Sequence, residues 1–235
     1  MITFSSKERS RQEEVMDGFQ LQGEGMEDLL TDLKCVNKLL GGNAITTEGI
    51  ARLITDKTRE YKLLDVGCGD GEILRQCANY GRKRGLKFKL IGLDGNPHIL
   101  AEAQKRSVQY PEISYVTLDI LGDTEKLPEI DIALFTLFLH HFENEKIEQI
   151  LSNLLSKCSL GLVVNDLQRS PIAFNLFKVF SSIFIKTKIA KHDGLVSVAR
   201  SFRKSELEIM SKSLHFSKQT IKWKWAFRYQ WVLWK

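Results

Sequence analysis

The 235-residue sequence predicts an α/β fold on a mostly parallel sheet, and three observations carry that expectation. From Tyr61 onward, short apolar runs at 62–66, 88–93, 113–118, 130–135 and 160–165 alternate with amphipathic helical patterns near 71–80, 97–108 and 144–157. Near-continuous apolar strands separated by helices imply a parallel sheet covered on both faces. The first of these strands runs directly into a glycine-rich turn and a helix, the connection that places ligands at the carboxyl edge of such sheets. The chain closes on an apolar–polar alternation from Gln219 to Trp234, through Ile221, Trp223 and Trp225 and then Tyr229, Trp231 and Leu233. That alternation predicts two antiparallel strands completing the sheet, although the turn at Ala226-Phe227 carries no Gly or Asn signal.

Each further element has its own signature. Leu29, Leu30, Leu33, Val36, Leu39 and Leu40 recur at helical spacing over 26–40, and Gly41-Gly42 ends that helix. A second helix is expected from about Thr47, carrying Ile50, Leu53 and Ile54. Asn96 before Pro97 is an N-cap with a first-turn proline, and Ile147, Ile150, Leu151, Leu154 and Leu155 make one apolar helix face. The strand–helix rhythm breaks over 166–200, and Ser205 with Glu208 reads as a capping box opening a helix to Leu214. The division expected is one domain: an N-terminal helical cap (1–60), a core (61–165), an insertion acting as a lid (166–200), and a closing helix and strand pair (201–235). Within the insertion, 171–185 is an apolar helix with Phe174, Phe177, Phe180 and Phe184, and His192-Asp193-Gly194 reads as a hinge.

Composition narrows the class. With 43% hydrophobic and 27% charged residues the chain has the balance of a globular domain rather than a disordered one. The net charge of +5 is spread along the chain, so nucleic acid is not an expected partner, while a weak contact with an anionic membrane surface stays open. Cys35, Cys68, Cys77 and Cys158 form no CxxC pair and no zinc spacing, so reduced thiols, no metal and a cytoplasmic location are expected. The apolar stretch 172–185 is broken by Asn175 and Lys178 and falls short of the ~20 residues that span a bilayer.

The strongest local signal is Leu63-Leu64-Asp65-Val66-Gly67-Cys68-Gly69-Asp70-Gly71. Its glycines let the backbone turn sharply and approach a ligand that a Cβ would exclude. Gly71 falls one residue early for the dinucleotide fingerprint, which argues against NAD. Asp94 ends the next strand, where a carboxylate can accept from both hydroxyls of a ribose. Asp119 ends the third strand, and 131–142 (DIALFTLFLHHF) leads from the fourth strand into a Leu-His-His segment.

In this order and at these strand ends, the segment 61–165 resembles the class I S-adenosylmethionine (SAM)-dependent methyltransferases, in particular the small-molecule branch that includes quinone and type 11 enzymes. The resemblance implies a Rossmann-like, seven-stranded fold whose last strand is antiparallel. It implies SAM as cofactor and S-adenosylhomocysteine (SAH) as product. By the same resemblance Asp65, Gly67, Cys68 and Gly69 hold the methionine part, Asp94 and Gly95 the ribose side, and Asp119 and Ile120 the adenine. Thr136 lies at the end of the fourth strand beside them. Family members often have an apolar residue after the ribose acid, and Gly95 departs from that pattern.

Methyl transfer from a sulfonium is an in-line displacement in which alignment and water exclusion supply much of the rate, with a base helping when the acceptor must lose a proton. His140, His141 and His192 are the candidate bases, with Asp166 able to orient one of them, and Arg9 or Arg11 could reach a cofactor carboxylate. The reading is a methyl transfer to oxygen or carbon of an apolar small molecule, aromatic, quinone-like or polyketide-like. Methylation of a nucleic acid or protein, for which Trp223-Lys224-Trp225 is the local support, and a SAM-binding protein without turnover are the alternatives.

Overall fold

In the computed structural model, which describes residues 2–18, 23–122 and 126–235, the seven strands form one sheet in the order β3-β2-β1-β4-β5-β7-β6. The strands are β1 (Glu60–Val66), β2 (Lys87–Asp94), β3 (Ile113–Thr117), β4 (Ile130–Thr136), β5 (Cys158–Leu167), β6 (Lys218–Lys224) and β7 (Arg228–Trp234). The first five run parallel, β7 pairs antiparallel with β5, and β6 pairs antiparallel with β7. The Rossmann-like expectation and the antiparallel closure both hold. The strand order reverses at β1, which is flanked by β2 and β4, and the carboxyl edge at such a switch point is where open α/β sheets bind ligands.

Alternation along the central strands divides the core in two. Leu63, Ile132, Leu134 and Val163 pack with Ile50 and Leu53 of α2 (Gly42–Leu53) and with Leu74 and Cys77 of α3 (Glu72–Arg84). On the other face Leu64, Val66, Ala133, Phe135 and Val164 meet α5 (Asn144–Lys157) and α8 (Lys204–Met210). α4 (Pro97–Arg106) starts as expected, with the Asn96 side chain accepting from His98 N. Two helix starts differ from expectation. α2 begins at Gly42 because Gly41 takes a left-handed φ of 68° and turns the chain straight out of α1 (Glu24–Leu39). α8 begins at Lys204, since it is Glu206, not Glu208, whose carboxylate reaches back to accept from the Arg203 amide.

The insertion is a helical hairpin, α6 (Pro171–Phe184) and α7 (Lys188–Arg200). Its two ends lie side by side: Gln168 bridges Phe202, Arg169 N donates to Phe202 O at 2.8 Å, and Phe202 N to Leu167 O at 3.2 Å. The expected hinge at His192-Asp193-Gly194 is instead the middle of α7. Gly194 is there for room, because a Cβ on it would sit 2.3 Å from the Phe177 ring of α6. Asp193 is buried, and its carboxylate accepts from the amides of Val15 (2.9 Å) and Met16 (3.0 Å), fixing the N-terminal segment under the hairpin. Phe177 and Phe180 pack with Leu29, Leu33, Val36, Ile185 and Ile189 in a core of their own, separate from the two sheet cores.

One buried ion cluster joins these parts. His140 follows β4 in the 3-10 turn Leu139–His141, and its Nδ1 donates to Asp166 Oδ1 of β5 at 2.7 Å. Its Nε2 lies 3.3 Å from Glu14 Oε1 of the N-terminal segment, and all three residues are at most 5% exposed. The His140 carbonyl accepts from Arg9 Nη2 and Arg200 Nε, each at 3.0 Å. Burial alone would depress the imidazole, but the charges and hydrogen bonds of Asp166 and Glu14 overcome it and raise its pKa to about 9. Glu14 and Asp166 are held below the ordinary carboxylate range, as the histidine contacts outweigh burial.

The sign of the resulting pH dependence follows from those shifts. The His140 contribution is complete below the unfolded pKa of ~6.5 and is lost as pH rises through about 9. The two carboxylates contribute above their unfolded values of ~4 and lose that contribution as pH falls through their lower folded ones. Chemical denaturation of the wild type and His140→Gln should show a difference on the order of 3 kcal/mol near pH 6 that shrinks toward pH 10. A difference independent of pH would show that the imidazole is not charged there.

Candidate active site

The turn after β1 is tied to the neighbouring strand: Gly67 N and Cys68 N both donate to Leu93 O, at 2.8 and 3.0 Å. Gly67, Gly69 and Gly71 all have left-handed φ, at 69°, 53° and 76°, yet they are bare for different reasons. A Cβ on Gly67 would fall 2.0 Å from the Phe138 ring, and one on Gly71 would fall 2.0 Å from the Tyr115 hydroxyl. On Gly69 the nearest atom would be Ile99 Cδ1 at 3.8 Å, an ordinary contact, so of the three only this position leaves room for more than a hydrogen. Asp70 braces the turn from behind through ion pairs to Arg75 (3.2 Å) and Arg106 (2.9 Å).

Two carboxylates border that space. Asp65 is 1% exposed, and its Oδ1 has no hydrogen-bond partner among the described residues. Burial, with the nearby charge of Asp94, pushes its pKa up to about 8. Asp94 accepts from Gly69 N through Oδ2 (3.0 Å) and from Asn96 N through Oδ1 (2.9 Å). Burial raises it as well, against the pull of those backbone bonds. Gly95 beside it is exposed, Cys68 is buried, and burial raises the Cys68 thiol well above its usual range.

Asp119 is exposed at the end of β3, with Oδ1 accepting from Leu121 N at 2.9 Å, while the Ile120 side chain is buried in the core. Thr136 is half-buried and turned toward α2, its hydroxyl 2.9 Å from that of Thr46. Leu137 then adopts a φ of 54°, a costly conformation for a branched residue, and this swings the chain so that Phe138 covers Gly67.

Of the three candidate histidines, His140 is enclosed in the ion cluster. His141 is half-buried, stacked on His140 at 4.4 Å between ring centroids, with Nδ1 3.0 Å from Asp17 Oδ1. His192 stands apart: Nδ1 lies 2.9 Å from Asp193 Oδ1 and Nε2 lies 3.2 Å from the Gln12 side-chain nitrogen, on the outer side of α7. Arg9 does not reach the glycine turn. It donates to Arg200 O (2.7 Å), Asn144 and His140 O, and covers the Phe202 ring. Arg11 is exposed.

Glu14, Asp17 and Phe138 complete the arrangement, and sequence reasoning did not single them out as site residues. Glu14 and Asp17 sit in a polar N-terminal stretch with no motif around them, so nothing local marks them. Phe138 gives no signal either, since its ring reaches Gly67 only through the left-handed turn at Leu137, which nothing local marks.

Residues 63–161 match the family model described as a methyltransferase domain. No functionally curated protein matches the sequence significantly. Among solved structures the chain is similar to the plantazolicin methyltransferase BpumL in complex with SAH, at 17% identity and a TM-score of 0.65 over 89% of this chain and 88% of that one. It is also similar to the magnesium protoporphyrin IX methyltransferase from Synechocystis PCC 6803 with bound SAH, at 16% identity and a TM-score of 0.56 over 85% and 84% of the two chains. A third likeness is to the CurJ carbon methyltransferase, at 16% identity and a TM-score of 0.66 over 90% of this chain and 59% of that one. At these identities the likeness is one of fold. The family model lies across the glycine turn and both carboxylates, so residues 63–161 match a methyltransferase domain, and the seven-stranded sheet that carries them has the fold of the similar methyltransferases solved with SAH.

Proposed function

We propose that SAM lies across Gly69, with its α-ammonium group against Asp65 and its ribose hydroxyls on Asp94, and that the methyl group passes to an oxygen or carbon of an apolar small molecule. One observation carries the cofactor half: a buried carboxylate oxygen without a partner, on Asp65, lies near Asp94, which holds the amide of the one glycine of the turn with room for a larger group. A buried polar atom left unpaired costs about 1–3 kcal/mol, so a cationic ligand that satisfies it is bound the more tightly. Asp119 and the Ile120 amide are assigned to the adenine edge, with Gly95 leaving one face of the ring uncovered by this loop.

When bound, SAM supplies a methyl carbon on a sulfonium, and SAH is left. The chain's own residues align the acceptor, exclude water and take the proton. His141 is assigned the proton: Asp17 holds its Nδ1, which leaves Nε2 as the atom that can accept. His140 is excluded from that role because it already carries a proton between two carboxylates near neutral pH. It is a positioning residue, the platform on which His141 stacks. His192 has no part in the transfer, being engaged with Asp193 and Gln12 on the outside.

The acceptor half rests on the apolar packing of α1, α6 and α7 beside the N-terminal segment, and on what the similar enzymes are named for, magnesium protoporphyrin IX, plantazolicin and methylation at carbon. The apolar character of α6 favours an acceptor with a large nonpolar body.

Three measurements test the reading. Calorimetry on Gly69→Val and Asp94→Ala should show SAM affinity lower by about tenfold or more, equivalent to ~1.4 kcal/mol. Unchanged affinity in both would place the cofactor elsewhere. Because Asp65 must lose a proton to receive an ammonium, SAM affinity should rise from pH 6 toward pH 8, by up to about tenfold per pH unit, and flatten in Asp65→Asn. Once an acceptor is in hand, His141→Ala should lower kcat while leaving SAM affinity within a factor of about three, whereas equal loss of both would make His141 a structural residue.

A further inference from the structure

The outer face of α6 is apolar as well as the inner one. Ile172 is 63% exposed, Leu176 52%, Val179 60% and Ile183 68%. Steps of four, three and four residues place these side chains on one stripe along the helix. The stripe lies opposite Phe177 and Ser181, which face the separate core of α1, α6 and α7, and Phe184, 50% exposed, ends the helix beside it. Contiguous exposed aliphatic side chains of this kind mark a contact surface rather than a solvated face.

The charge around the stripe points to what it meets. From Asp166 to Asp193 the intervening chain has no acidic residue, while it contains Arg169, Lys178, Lys186, Lys188 and Lys191. Arg169 is buried and paired with Glu206, but Lys178, Lys186 and Lys188 are exposed on the flank and at the end of the helix, and no ion pair engages them among the described residues. A second copy of the chain fits poorly. A two-fold pairing through this stripe brings α6 against α6, and that segment offers no carboxylate to either copy's lysines. An anionic bilayer supplies both halves of the complement, acyl chains for the stripe and phosphates for the lysines. At 14 residues α6 is too short to cross, and no helix among the described residues is long and apolar enough to do so.

We propose that α6 docks the protein on an anionic lipid surface, with Ile172, Leu176, Val179 and Ile183 immersed at the boundary of headgroups and acyl chains and Lys178, Lys186 and Lys188 at the phosphates. The inference is independent of the methyl-transfer reading, since its test reads binding alone. If both hold, the helix that faces the lipid also roofs the acceptor site, and an acceptor dissolved in the bilayer reaches it without crossing water.

Co-sedimentation of the full chain with vesicles of phosphatidylcholine alone, and of phosphatidylcholine mixed with phosphatidylglycerol, tests it. The protein is expected to bind the mixed vesicles, to be released by salt, and to bind phosphatidylcholine at least tenfold more weakly. Leu176→Glu with Val179→Glu should abolish vesicle binding while SAM affinity and the circular-dichroism melt stay unchanged, both positions being exposed. Lys186→Gln with Lys188→Gln should weaken binding and flatten its salt dependence without touching the stripe. No binding to the mixed vesicles would overturn the proposal, as would binding that either pair of substitutions leaves intact. A dimer in sedimentation equilibrium that Leu176→Glu with Val179→Glu disperses would overturn it too, by assigning the stripe to self-association.

Discussion

The imidazolium of His140, buried between Glu14 and Asp166, is the contact on which the upper half of the molecule depends. It gathers three stretches that are far apart in the chain: the N-terminal segment, the turn after β4 and the end of β5. Three charges removed from water carry a desolvation cost of several kcal/mol each, which only close mutual pairing offsets. The cluster alone would keep one excess negative charge. Arg9 and Arg200, both donating to the His140 carbonyl, stand close enough to balance it. The ring on which His141 packs is therefore also the one that ties down the N-terminal segment and, through its carbonyl, Arg200 of α7.

The legible and illegible parts of this structure divide by range. The strands, the glycine turn, Asp65, Asp94 and the Asn96 cap were readable because each is set by residues within a few positions of it. Apolar runs have one period, caps have one chemistry, and a carboxylate at a strand end has one place to be. The function of His140 was not readable, because its meaning comes from Glu14 at one end of the chain and Asp166 on another strand. Leu137 shows the same limit: a left-handed residue without glycine or asparagine gives no local warning, and it is imposed by the hydrogen bond of its amide to Asn165 O and by the packing of Phe138. The packing of Gly194 against Phe177 is likewise tertiary, since this glycine answers a neighbour rather than a turn. His192-Asp193-Gly194 resembled a hinge in composition, and its true use, capping the amides of Val15 and Met16, needed a partner outside any local window.

Asp65 and Asp94 show how two neighbouring acids can be held in different ways. Asp94 spends its oxygens on backbone amides that fix the turn, and so stays anchored with or without a ligand. Asp65 has no such partners and relieves its burial by holding a proton near neutrality. One carboxylate thus belongs to the scaffold, while the other keeps an oxygen without a partner among the described residues.

The bridge between Gln168 and Phe202 gives the hairpin that lies between them a modular character. Its ends already meet across backbone hydrogen bonds, so a hairpin of another length or composition could be closed there at little further entropic cost. The turn after β4 would register the exchange, because Arg200 of α7 donates to the His140 carbonyl. Residues 2–18 would register it as well, because Asp193 holds the amides of Val15 and Met16 and Ser10 N bonds to Ala199 O. The beginning of the chain and the 170–201 hairpin are therefore a linked pair, and a graft of the hairpin into another chain has to carry both.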